Sequence, residues 1–372
     1  MEKKIKLITV VGTRPEIIRL SSIIKKFNQN FNHKLIFTGQ NFSKELSSYF
    51  FNNFDIKPDI FLKVNNQNPF NAIGEIIIKM DKILDEFKPD CFFVVGDTNS
   101  ALSSLVAKKK QIPVFHYEAG NRCFDERVPE EVNRMVIDTL SDINLTYSES
   151  SKLNLLRENF SLDKVFNVGS PLQEVFQDNL EKIKKNKILD KLKLKEKNYI
   201  LLSLHREENI ENKKNLDQII SSLNYISEKM KKIIIFSTHP RTKKKLKNYK
   251  LNKFIKIHPP FNFFSYNKLQ ISSLAVISDS GSISEESYIL NFPAINLRET
   301  HERHEAMENG VLIMSEFEKN KLLTNLKYSI KNQTEYKNHR IKDYDQKNPS
   351  LKIIKIILSY INYVNKKTYY KN

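Results

Sequence analysis

The chain has 372 residues and a formal charge of +18, with 61 Lys and Arg against 43 Asp and Glu, and two cysteines. That length exceeds one ordinary core and suits two α/β domains, while no apolar run approaches the roughly 18–20 residues that span a bilayer. Cys91 and Cys123 make neither a metal site nor a disulfide framework, and the lysines spread over helix faces and turns with no nucleic-acid motif among them.

The N-terminal segment carries lysines but no cleavage-type stretch, and Ile5–Val11 reads as a strand entering a fold, so a cytoplasmic protein is predicted. Gly12-Thr13-Arg14-Pro15-Glu16 follows. A glycine turn, a threonine able to cap and a proline opening a helix make a helix N-terminus at the sheet edge, where Arg14 suits an anion. Leu35–Thr38 is a second strand, ending in Gly39-Gln40-Asn41. A helix over 70–87 leads to the strand Cys91–Val95, and Gly96-Asp97-Thr98 sets a carboxylate on the same edge. A helix over 99–110 returns to the strand before His116.

The stretch from His116 to Arg134 holds five carboxylates, three arginines, a histidine and a tyrosine. It runs from a strand end into a helix opening near Pro129, and open α/β sheets place their ligands at such ends. Ile143–Thr146 and Val165–Val168 are the last strands of this half, and a helix over 172–187 leads out. Residues 188–198, lysine-rich, read as the linker.

The second half begins at Tyr199–Leu204, which ends in His205-Arg206-Glu207-Glu208-Asn209. Strands at Ile233–Ser237 and Ile255–Ile257 end at His239 and His258, which read equally well as satisfied strand-end histidines. Ala275–Ser278 runs into Asp279-Ser280-Gly281-Ser282 and a helix over 283–290. Serines and a glycine at a helix start offer N–H groups and hydroxyls to a phosphate. Strand Ala294–Leu297 leads to a charged segment ending Arg303-His304-Glu305, and helices over 317–331 and 349–366 close the chain. The fold class is therefore α/β, with two doubly wound domains whose ligand lies in the cleft between them: 1–170 joined by the terminal helix 350–372, and 171–349. No GxGxxG fingerprint or Walker lysine loop is present, which argues against a tightly bound NAD or an ATPase.

GTRPE at 12–16, TGQ at 38–40, GDT at 96–98, HYEAG at 116–120, PEEVNR at 129–134, HREEN at 205–209, SDSGSISEE at 278–286 and HER at 301–303 together resemble the non-hydrolysing UDP-N-acetylglucosamine 2-epimerase family. The resemblance implies a glycosyltransferase-B-like pair of Rossmann-like domains, a C-terminal helix returning to the first, and a homodimer. It implies removal of the C2 proton of a UDP-2-acetamido sugar, loss of UDP to a glycal, and re-addition on the opposite face. Carried over by position, Asp97, Glu118 and Glu130 match the acid/base carboxylates and His205 a histidine near the leaving diphosphate. Arg14, Arg19, Gln40, Arg134, Ser280, Gly281, Ser282, Glu286 and Arg303 match substrate- and UDP-binding positions. No metal or separate cofactor is expected, nor a nucleic-acid or membrane partner.

Three departures stand out. Ser282 replaces the usual second glycine of the phosphate turn, Asn41 the usual histidine, and Arg19 the usual lysine. The short central loop, residues 121–128, together with residues 298–310, resembles the subgroup that forms UDP-N-acetyl-L-fucosamine from a 6-deoxy-L-talo sugar for surface polysaccharides such as capsule or O-antigen. The expected activity is accordingly UDP-N-acetyl-L-fucosamine synthesis. The alternatives are a UDP-GlcNAc/UDP-ManNAc 2-epimerase, a hydrolysing 2-epimerase, and, in another class, a glycosyltransferase of the same fold.

Overall fold

A computed structural model of the chain describes residues 4–39, 51–65, 68–126, 128–238, 240–298, 301–333 and 340–371. Gln40, Asn41 and His239, singled out above, lie outside them. The described chain divides into two compact units, Met1–Val175 with Asp345–Asn372, and Phe176–Tyr344.

The first unit carries a sheet of β1 (Lys6–Val11), β2 (Asn32–Phe37), β3 (Ile60–Phe61), β4 (Cys91–Val95), β5 (Val114–Tyr117), β6 (Ile143–Thr146) and β7 (Val165–Asn167), in spatial order β3-β2-β1-β4-β5-β6-β7. The second carries β8 (Tyr199–Leu204), β9 (Ile233–Thr238), β10 (Ile255–His258), β11 (Ala275–Ser278), β12 (Ala294–Asn296) and β13 (Ile313–Met314), in order β10-β9-β8-β11-β12-β13. Every pairing is parallel. Runs such as CFFVV and YILLSL explain why: a strand covered by helices on both faces is apolar throughout rather than alternating, and β4 is buried at every position.

In each sheet the strand order reverses once, between β1 and β4 in the first and between β8 and β11 in the second. At such a switch point the connections leave in opposite directions and open a crevice at the carboxyl ends of the two strands. The Gly12 and Gly96 turns follow β1 and β4, and His205 and Asp279 follow β8 and β11. Residues some 75–85 positions apart in sequence therefore meet at each switch.

The chain's last helix, Pro349–Lys367, belongs to the first unit. It buries Ile353, Ile354, Ile357, Ile361 and Val364 along one face and packs on the Arg14–Asn30 helix. Polar anchors fix its ends. Ser350 donates to Glu174 through N at 3.1 Å and Oγ at 2.5 Å, and the Tyr369 hydroxyl donates to Asp142 at 2.8 Å.

Two regions differ from the sequence reading. Residues 99–110 form a 3-10 turn, Asn99–Ser103, and a short α-helix, Ser104–Lys109. Residues 188–198 are not a free linker, because Ile188 and Leu189 are buried in the core of the second unit, with Leu192 and Leu194 packed against it. Apolar side chains between the lysines settle it: burial of each is worth about 1.5–3 kcal/mol, while the lysines remain in water. The passage between units falls instead inside the Leu172–Lys184 helix.

Candidate active site

At the switch of the first sheet, Thr13 caps the Arg14–Asn30 helix in a capping box with Glu16, and Pro15 lies in the first turn. Gly12 is dictated by crowding: a Cβ there would lie 1.8 Å from Ser100 Oγ and 2.5 Å from Thr38 Oγ1. Arg14 is half-buried at the helix start. One turn on, Arg19 reaches across to Glu118, Nη1 to Oε2 at 2.5 Å.

Glu118 follows β5 and is 7% exposed. Its φ is +74°, in the left-handed region that side-chain-bearing residues avoid at a cost of order 1–3 kcal/mol. Gly96 leaves room for it, since a Cβ on Gly96 would stand 3.2 Å from Glu118 Oε2. Asn121 donates to the other oxygen at 3.2 Å. The strained backbone thus aims a carboxylate held by one cation and one amide over the glycine turn before Asp97.

Asp97 is gripped by Arg134, whose Nε donates to Oδ2 at 2.8 Å and whose Nη2 lies 2.7 Å from the same oxygen. Arg134 sits on the Pro129–Leu140 helix, where residues 131, 134 and 138 share one face. That face is buried: Glu131, Arg134 and Asp138 are 2%, 8% and 0% exposed. Glu131 accepts from Arg134 Nη1 at 2.7 Å and from the N–H groups of Cys123 and Phe124 at 3.0 Å, tying the central loop to the helix. Burial pushes the Glu131 carboxyl upward, but Arg134 and the two N–H groups outweigh it and hold it below the ordinary range. Glu130, one residue earlier, is exposed on the first helical turn; the carboxylate turned into the cluster is its neighbour. Cys123 is buried, and burial raises its thiol, the opposite of what a thiolate nucleophile needs.

His116 is structural. It is fully buried, with Nδ1 2.8 Å from Asp138 and Nε2 2.9 Å from the Gly96 carbonyl. Asp138 also takes Arg122, which pairs with Glu158 through Nε at 2.8 Å and Nη2 at 2.6 Å. This set braces the loop rather than serving it chemically.

At the switch of the second sheet, Asp279 is fully buried and organises the residues after β8. It accepts from the N–H groups of His205 and Arg206, from Asn209 Nδ2, and from His205 Nδ1 at 2.8 Å. Burial works to raise its carboxyl, but His205, the Arg206 N–H and Asn209 prevail and hold it below the carboxylate range. With Nδ1 fixed, the imidazole, half of whose side chain is exposed, presents Nε2 outward.

The Ser280–Ser282 turn leads into the Ile283–Leu290 helix. Ser280 Oγ and Ser282 Oγ are 3.0 Å apart, and Ser282 Oγ donates to Glu286 at 2.7 Å. Glu286 also accepts from Gln270 at 2.6 Å. Ser282 has φ −87°, an ordinary right-handed value, so serine in place of glycine costs no backbone strain there. Arg298 makes a two-pronged pair with Glu302 at 2.8 and 3.0 Å, and Arg206 Nε donates to the Asp279 carbonyl at 3.0 Å. A Cβ on Gly281 would stand 3.7 Å from a terminal nitrogen of each arginine. Arg303 is turned inward instead, 6% exposed and paired with buried Glu285 at 2.7 Å.

A profile of the family described as UDP-N-acetylglucosamine 2-epimerase matches residues 25–358. The chain belongs to this family. It is an enzyme, an isomerase of the non-hydrolysing UDP-sugar 2-epimerase class. A UDP-N-acetylglucosamine 2-epimerase of Methanocaldococcus jannaschii is 37% identical over 345 residues, covering 90% of this chain and 94% of the relative. The UDP-N-acetylglucosamine 2-epimerase structure from Rickettsia bellii superposes with a TM-score of 0.92 at 42% identity, covering 99% of this chain and all of the other. The M. jannaschii UDP-GlcNAc 2-epimerase in complex with UDP-GlcNAc and UDP gives 0.85 at 34%, covering 95% and 100%. The fold is thus the paired doubly wound, glycosyltransferase-B-like one.

Within this epimerase the structure adds residues that the sequence reading left out: Glu16, Glu131, Arg206, Asp279 and Arg298. Helical spacing from Arg134 and Asp138 marks Glu131 in the sequence. The other four need the strand order or the fold of the turn.

Proposed function

We propose that the chain interconverts UDP-GlcNAc and UDP-ManNAc, with Asp97, Glu118 and Glu130 as acid/base groups. The reading rests on one observation above all: two carboxylates at the first switch point, each held by its own arginine, one on a backbone strained into place. C2 of the sugar has no neighbouring carbonyl to stabilise a carbanion. Its C–H electrons must therefore form the C1=C2 bond as the C1–O bond to UDP breaks. Re-addition of UDP with protonation of the opposite face gives the epimer. Positioned acid/base groups contribute about 10²–10⁴-fold each, and cations stabilise the departing diphosphate.

In this reading the second unit takes the UDP. The Ser280–Ser282 turn, Arg206 and the outward Nε2 of His205 suit a diphosphate, and in the first unit Arg14 is proposed as an anion-binding cation. The groups so assigned are all the chain's own, and the reaction is proposed to run without metal or nicotinamide. The protein is proposed to act in the cytoplasm as a homodimer. UDP-GlcNAc is preferred to the 6-deoxy-L-talo sugar because the related enzymes described above are named for it. The short loop before Val128, which motivates the L-fucosamine reading, is held in place by Glu131 on its own helix.

An NMR time course in D2O, run separately with UDP-GlcNAc and with the UDP-linked L-talo sugar, decides between them. Deuterium entering C2 of a UDP-bound epimer from UDP-GlcNAc is the expected result. Turnover of the L-talo sugar alone would move the chain to the L-fucosamine branch. Free UDP with free sugar would mark a hydrolysing enzyme, and exchange from neither substrate would reject the epimerase assignment.

A further inference from the structure

Glu16 has no part in the roles assigned above. It is 5% exposed, and its carboxylate accepts four hydrogen bonds. Oε2 takes the Gly12 N–H at 2.8 Å, the Thr13 N–H at 2.6 Å and the Thr13 hydroxyl at 2.8 Å, while Oε1 takes the Thr98 hydroxyl at 2.8 Å. A capping box accounts for the Thr13 contacts. It does not account for Thr98, which lies 82 residues away on the turn after β4 and arrives only because β1 and β4 are neighbours. One carboxylate therefore joins the turn carrying Arg14 to the turn carrying Asp97.

The position is also a costly one for a charge. Burial pushes the Glu16 carboxyl up to about 7 even against its four donors. Asp97 itself is meanwhile held at two points: Arg134 grips the carboxylate, and Asn133 Nδ2 donates to the Asp97 carbonyl at 2.9 Å. Both come from the Pro129–Leu140 helix. β5 pins Gly96, through His116 and the Tyr117 carbonyl, and Thr98 adds the tie to the Gly12–Thr13 turn.

We propose that Glu16 is a positioning residue of the epimerisation, which through Thr98 sets the Asp97 carboxylate against the anion-binding turn of Arg14. The inference rests on the acid/base reading of Asp97. Glu16 acts on the backbone that presents Asp97 and not on the substrate, so its loss should slow proton transfer and leave nucleotide binding nearly untouched.

The test uses E16Q, T98V and T98S in the full chain, with C2 deuterium exchange from UDP-GlcNAc, the UDP dissociation constant by calorimetry, and the thermal midpoint. T98V is nearly isosteric and keeps the variant set informative if E16Q fails to fold. A misplacement of about 1 Å costs up to 10²-fold in rate, so T98V should lower kcat roughly 10- to 100-fold. KM and the UDP dissociation constant should stay within about threefold, with the thermal midpoint lowered by no more than the few degrees one lost hydrogen bond costs. T98S, which keeps the hydroxyl, should recover most of the loss. A folded T98V with wild-type kcat overturns the proposal, as does one in which kcat, UDP affinity and thermal midpoint fall together. Wild-type exchange alongside either of those results leaves the acid/base reading standing. No exchange by the wild-type chain would reject that reading, and the role of Glu16 with it.

Discussion

The two switch points have the same topology and opposite polarity. In the first unit, arginines are the supports and carboxylates the groups presented: Arg19 steadies Glu118, and Arg134 steadies Asp97. In the second, carboxylates are the supports. Asp279 holds His205 and Arg206, Glu302 holds Arg298, and Glu286 holds Ser282. Bases and acids are needed where a C–H bond breaks, and cations and hydroxyls where a diphosphate departs. In the proposed reaction one architecture serves both by exchanging which sign supports and which is offered.

Breaking the offered group should cost rate, and breaking a support should cost stability. The largest effect falls on Asp97→Asn: kcat should drop about 10²–10⁴-fold, the range of a positioned acid/base group, with UDP affinity by calorimetry within threefold of wild type. Loss of affinity in step with turnover would undo the assignment. Arg303→Ala removes the pair to buried Glu285 and should lower the unfolding free energy by about 3–5 kcal/mol, measured by denaturant titration; an unchanged midpoint would remove this pair from what holds the fold.

The third test concerns pH. The folded-state pKa of Glu16, about 7, lies above its ordinary 4.5, so protonation favours the folded state. That contribution is complete below about pH 4.5 and is lost as pH rises through about 7. Relative to E16Q, which does not titrate, the wild type should lose about 3 kcal/mol of stability over that window at about 1.36 kcal/mol per pKa unit. Parallel stability curves for the two proteins would contradict the burial of this carboxyl. The smallest effect is on Arg206→Ala, whose side chain is partly exposed. UDP should bind about tenfold more weakly, or about 1.4 kcal/mol, with stability little changed. Equal affinity would remove Arg206 from the diphosphate contacts.

What the sequence disclosed follows the same division. Apolar runs ending in a glycine turn, as at Gly12 and Gly96, marked strand ends, and the residues offered there (Asp97, Glu118, His205, Ser280) could be picked out because they stand in short local motifs. Among the supports, Arg134 and Glu286 also stand in such motifs and Arg19 just after one, but what each one holds could not be read there. Glu16 meets Thr98, and His205 meets Asp279, only through a strand order that no local pattern contains. Arg303 sits in a motif beside a charged run, yet tertiary packing turns it toward Glu285. Glu130 and Glu131 are adjacent identical residues, and only the phase of the helix separates the exposed one from the buried one. Residues 188–198 misled because lysine frequency masked four apolar side chains that reach the core.

The return of the final helix to the first unit also bears on how the protein is made. Phe176–Tyr344 is continuous in sequence, so it can close as soon as it leaves the ribosome. The first unit, though begun earlier, lacks its Asp345–Asn372 segment until the whole second unit has been made. At about 5–20 residues per second, its apolar docking face on the Arg14–Asn30 helix waits on the order of ten seconds or more for Ile353, Ile357 and Val364. The half that carries Asp97 and Glu118 is therefore completed only after the second unit, and termination near residue 345 would release a finished second unit attached to an open first one.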